Sequence, residues 1–145
     1  MKVKFKKLHA NAKLPTYAKP GDAGMDLYAC LDKDVLVNPR ETVLIPTGLA
    51  MELPEGYEAQ IRPRSGLAKN NRLTVINSPG TIDSGFRGEI CVLIISHNPY
   101  TGQWITSGMK IAQMVVKPVE QAEIIEVEEL SDSERGGAGF GSTGV

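Results

Sequence analysis

Apolar residues in this chain come in short runs, and several of those runs alternate with polar positions. Val3 and Phe5 stand between Lys2, Lys4 and Lys6, the period-two pattern of a strand with one buried face. The runs that read as strands are VKFKKL, MDLYACL, DVLV, ETVLI, GLAMEL, YEAQIR, LTVI, GEICVLIIS, KIAQMVV and AEIIEVE. Nine prolines fall mostly between them, where they would break any long helix. Near-regular spacing with turn chemistry in the gaps predicts an all-β sandwich or barrel. One short helical turn is expected in SGLAKNN, with Ser65 as its N-cap.

Composition narrows this further. A chain of 145 residues, 41% hydrophobic, reads as one domain able to bury a core, and with 6% aromatics that core must be aliphatic. A formal charge of −1 offers no electrostatic case for nucleic acid or membrane as a partner. The charges are nonetheless segregated, with five lysines in the first thirteen residues and seven acids in residues 120–134. Such runs are usually solvated faces; the alternative is that one end of a subunit crosses toward a neighbour. Cys30 and Cys91 form no metal-ligand spacing, with or without His9 and His97, and read as reduced core residues in a cytoplasmic protein. The start lacks a signal-peptide core and no apolar run could span a bilayer, so a soluble protein is expected.

Five segments carry candidate chemistry. In RPRSGLA, Arg64, Ser65 and Gly66 offer a guanidinium fork, a hydroxyl and backbone N–H groups, the donors an oxyanion needs, although for this segment alone a capped surface turn with a solvated arginine is the simpler reading. GTIDSGFRGEI, residues 80–90, is glycine-punctuated and reads as a hairpin. Asp83 in it either caps a turn or faces a pocket where it deprotonates water. Phe86 is either core or a cover for a sugar, and Asn77 just before has the donor and acceptor that suit a base edge. Asp26 in AGMDLYA and Gln113 in the apolar GMKIAQMVV must each find hydrogen-bond partners if buried. The last twelve residues, ERGGAGFGSTGV, hold five of the fifteen glycines. They contain a literal G-x-G-x-x-G, but with only Val145 after it no helix is expected there to hold a pyrophosphate. A frayed terminus would leave Arg135, Phe140, Ser142 and Thr143 without purpose.

In this order, AGMDLYA, RPRSGLA, GTIDSGFRGEI, GMKIAQMVV and RGGAGFGSTG resemble the five motifs of the trimeric deoxyuridine triphosphatases, the dUTPases. The resemblance spans residues 23–144. It implies a β jelly-roll homotrimer, with a domain over 1–133 and a mobile C-terminal lid arm over 134–145. It further implies magnesium-dependent hydrolysis of dUTP to dUMP and pyrophosphate at sites shared between subunits, which limits uracil in DNA and supplies dUMP for thymidylate synthesis. Carried over by motif, Asp83 positions the attacking water, and Arg64, Ser65, Gly66 and Gln113 hold phosphate oxygens. Asn77, Gly80 and Ile82 read uracil, and Phe86 packs on deoxyribose where the family commonly has tyrosine. Arg135, Phe140, Gly141, Ser142 and Thr143 form the lid, with Phe140 on the uracil ring. Asp26 acts on Mg²⁺ through water, the ion being held mainly by the triphosphate. Two other readings use the same motifs: a dCTP deaminase-type relative, and a nucleotide-responsive binding protein.

Overall fold

The computed structural model describes residues 1–139. Its elements are β1 (Lys4–Lys7), β2 (Thr16–Tyr17), β3 (Met25–Tyr28), β4 (Val35–Val37), β5 (Thr42–Glu52), β6 (Tyr57–Arg62), α1 (Ser65–Asn71), β7 (Leu73–Val75), β8 (Gly80–Ile82), β9 (Glu89–Ser96), β10 (Gln103–Ile105) and β11 (Lys110–Pro118). They form an antiparallel jelly roll: a four-stranded sheet in the order β1-β5-β9-β7, a five-stranded sheet β2-β3-β11-β6-β8 and a ribbon β10-β4. Period-two patterning builds the interior. Along β9, Ile90, Val92 and Ile94 point inward while Cys91, Leu93 and Ile95 stay half-buried on the outer face. Leu27, Ile61 and Met114 of one sheet, Ile45, Leu49 and Ile90 of the other, and Val37 and Ile105 of the ribbon join in one aliphatic cluster. Among the described residues no aromatic side chain is fully buried.

Several expectations change here. ETVLI and GLAMEL are one strand, β5, with an irregularity where Pro46 faces Cys91 and Ala50 faces Glu89. Pro46 and Gly48 therefore punctuate a bulge and not a strand end. Gly48 sits there at φ +68°, and a Cβ would stand 2.8 Å from Cys30 Sγ and 2.9 Å from Ala12 Cβ. GTIDSGFRGEI is not a hairpin of adjacent strands, because β8 pairs with β6 in one sheet and β9 with β5 and β7 in the other. The loop is a corner that carries the chain between sheets. Ser65 does not cap α1 but is its first residue. Arg64 holds the cap position in extended conformation (φ −95°, ψ 130°), and no side chain caps the helix. AEIIEVE forms no strand, since no strand among the described residues pairs with it; Ile124 and Leu130 are 90% and 88% exposed. Cys30 is buried, whereas Cys91 is only half-buried.

Candidate functional site

Where β3, the start of α1 and β11 meet there is a cleft of about 380 Å³, lined by Gly24, Asp26, Arg64, Ser65, Gly66, Lys110 and Gln113 together with Asp22 and two alanines. Asp26 and Gln113 are cross-strand partners and so share a face of the sheet. Asp26 is 8% exposed. Its Oδ1 accepts from Arg64 Nε at 3.0 Å and its Oδ2 from Lys110 Nζ at 2.7 Å. A lone carboxylate at that depth would carry a large desolvation cost, which these two cations offset. In return, the hydrogen bond and then the charge of Asp26 hold the Lys110 ammonium above the usual lysine range. Gln113 Nε2 donates to the Pro63 carbonyl at 2.9 Å, the partner its apolar strand could not supply. This bond ties the fourth motif to the second. Gly24 makes room for Gln113, because a Cβ at residue 24 would collide with the Gln113 carboxamide. Three segments far apart in sequence thus converge on one wall of donors around a single buried carboxylate.

Lys110 is the cleft residue that the sequence concealed. In a regular strand, positions 110 and 113 point to opposite faces. Here Lys110 pairs with Tyr28 while Ala112 pairs with the next residue back, Leu27, so Ile111 is an extra residue in β11. That bulge turns Lys110 to the face that carries Asp26 and Gln113 and lets Ile111, 1% exposed, enter the core.

The remaining candidates assemble at the corner between sheets. Asn77 lies against Gly80, where a Cβ would stand 3.1 Å from Asn77 Nδ2. Gly80 and Ile82 are fixed by pairing with Ile61 and Ala59 of β6, which presents Asp83 just beyond the strand end, exposed. The following turn closes as the Phe86 N–H donates to the Asp83 carbonyl at 3.1 Å. Arg87 Nη1 pins it by donating to the carbonyls of Ser84 at 2.6 Å and Phe86 at 2.9 Å. The Phe86 ring, 44% exposed, folds over Gly88. Ile82, Asp83, Phe86 and Cys91 help line a depression of about 230 Å³.

That depression shares no lining residue with the first cleft. Within one chain, then, Asp83 is not brought to Arg64 and Asp26. Arg135 lines neither; its Nε donates to the Ala138 carbonyl at 3.0 Å in an exposed turn. Phe140, Gly141, Ser142 and Thr143 lie outside the described residues. Among the described residues no three His, Cys, Asp or Glu side chains converge as metal ligands, and no helix is long and apolar enough to cross a membrane.

Known proteins are similar to this chain in sequence and in fold. A family model described as dUTPase matches residues 10–144. The deoxyuridine 5'-triphosphate nucleotidohydrolase of Clostridium tetani is 56% identical over 142 residues, 98% of this chain and 96% of that protein. The dUTPase of Staphylococcus bacteriophage 80alpha, solved with dUPNHPP, superposes with a TM-score of 0.91 at 30% identity and 99% coverage of both chains. A dUTPase from phage phi11 of S. aureus, 25% identical with a TM-score of 0.82 over 91% of this chain and all of that one, is described as coordinating a structural Mg(II) ion. A match along almost the whole chain, joined to a jelly roll that gathers the first four motifs at two clefts, makes this chain a member of the dUTPase family.

Proposed function

We infer that this protein is a dUTP diphosphatase, which hydrolyses dUTP to dUMP and pyrophosphate. The observation that carries this reading is the first cleft, where Arg64, Ser65, Gly66 and Gln113 line one small space beside a doubly paired Asp26. Anionic oxygens suit such a wall, because a guanidinium, a hydroxyl, an amide and backbone N–H groups are all donors. Water attacks the α-phosphorus in line, and catalysis is mostly positioning and charge stabilisation. Asp83 is the group that accepts the water's proton; it is exposed and lines the second depression together with Phe86, the ring that packs on deoxyribose. Asn77 and the backbone at Gly80 and Ile82 read the uracil edge. Phe86 excludes a 2′-hydroxyl by bulk, so UTP is a poor substrate.

Magnesium suits this site as an ion carried by the triphosphate, since the cleft offers hard carboxylate oxygen but no three-ligand cage. Asp26 would hold it through water, and the bound ion supplies charge neutralisation on the phosphate oxygens.

A homotrimer with shared sites accounts for three features of the single chain. The two clefts are separate, although the reaction requires both. On the outer face of the four-stranded sheet, Leu44 is 60% and Ile76 50% exposed next to Leu93. The acidic segment after β11 leaves Ile124, Ile125 and Leu130 uncovered. Residues 134–145 then act as a lid on a neighbour's nucleotide, with Arg135 meeting phosphate, Phe140 stacking on uracil, and Gly141, Ser142 and Thr143 adding donors.

Pyrophosphate release from dUTP, dCTP, dTTP and UTP with magnesium tests the reading. Release is expected from dUTP alone, falling about 10²–10⁴-fold in Asp83→Asn and strongly after truncation beyond Glu134. Ammonia from dCTP, or tight dUTP binding without turnover, would replace it with a deaminase or a binding protein; full activity in the truncated chain would remove the lid.

A further inference from the structure

The Asp26 carboxylate is shared between two cations, and they are not equivalent. Arg64 binds it through Nε, while its Nη1 lies 3.4 Å from the Lys110 carbonyl. In the reaction inferred above, on which this inference rests, Arg64 also holds phosphate. A guanidinium drawn to a triphosphate cannot keep its best geometry on Asp26 as well. Lys110 has no such competing duty: its Nζ makes the shorter contact to Asp26, 2.7 Å, and lies 6.0 Å from the ring centroid of Tyr28, its cross-strand partner. The β11 bulge is what delivers that ammonium to the cleft face.

We propose that Lys110 is a positioning residue for dUTP hydrolysis: turned onto the cleft by the bulge at Ile111, it keeps Asp26 anchored and charge-balanced while Arg64 engages the phosphates. Lys110 acts through Asp26, so its worth depends on Asp26 being present. A residue that only stabilised the fold, or one that bound phosphate directly, would matter equally without it.

A double-mutant cycle on the full-length chain reads this dependence, with dUTP kinetics and binding of an α,β-imido dUTP analogue as parallel measurements. Lys110→Met should lower kcat/KM about tenfold, and Lys110→Arg should restore most of the loss by keeping the charge. In an Asp26→Asn background, the same Lys110→Met change should cost less than about twofold. Lys110→Gln serves if Lys110→Met fails to fold. Equal losses in both backgrounds, or no loss in either, would overturn the proposal. Absence of dUTP turnover in the unmutated chain would instead sink the parent reading.

Discussion

Asp26 and Gln113 are chemically ordinary residues made significant by what faces them. The need for a partner was readable from the letters, because a polar side chain in KIAQMVV has nowhere local to bond. The partner itself, a carbonyl fifty residues away at Pro63, was not. Local sequence states a requirement; only the fold supplies its solution. Titration is the other property that belongs to single residues. Burial pushes the thiol of Cys30 up, helped by the charges of Glu89 and Asp32, and burial with Glu89 does the same to Cys91. Lys110 is also raised, by Asp26. In each case the folded chain holds its proton more tightly than the unfolded chain, so stability is intact below the unfolded pKa and is lost as pH rises through the folded one. Urea midpoints should therefore hold near neutrality and decline from about pH 8.5 upward, where unfolded thiols begin to ionise. Cys30→Ala should make that decline shallower, and a midpoint steady to about pH 10.5 would contradict the assignment.

At the scale of elements, the pattern of apolar runs located most strands, and YEAQIR coincides with β6. It failed where regular alternation fails. A bulge hides a strand's continuity in β5 and hides a functional lysine in β11, since period-two reasoning assumes that no residue is extra. Short pairings such as β2 and β10 carry too few residues to make a pattern at all. The β5 bulge is also structurally exacting. The Gly48 N–H donates to Glu89 Oε1 at 2.8 Å, its carbonyl accepts from the Leu8 N–H at 2.8 Å, and its α-carbon faces Cys30 and Ala12. Gly48→Ala combines a left-handed backbone with an overfilled contact and should cost roughly 2–4 kcal/mol in a denaturation experiment. A loss below about 0.5 kcal/mol would mean that the bulge relaxes freely.

At the scale of the whole molecule, the five ordered motifs were the most legible feature and their meeting points the least. Sequence order cannot reveal that Asp83 and Arg64 line different clefts of one chain, because order along a chain carries no distances. The same limit applies to AEIIEVE, whose residues suit a strand while the described residues offer it no partner. The separation of the two clefts has a genetic consequence. A subunit carrying Asp83→Asn keeps its phosphate wall, and one carrying Arg64→Ala keeps its Asp83, so each alone should be inactive. If the two are unfolded together and reassembled in equal amounts, random trimers should regain about a quarter of wild-type sites, each built from the sound half of either parent. Two null alleles would then complement each other in one cell, whereas a mixture that stays inactive would mean each chain completes its own site.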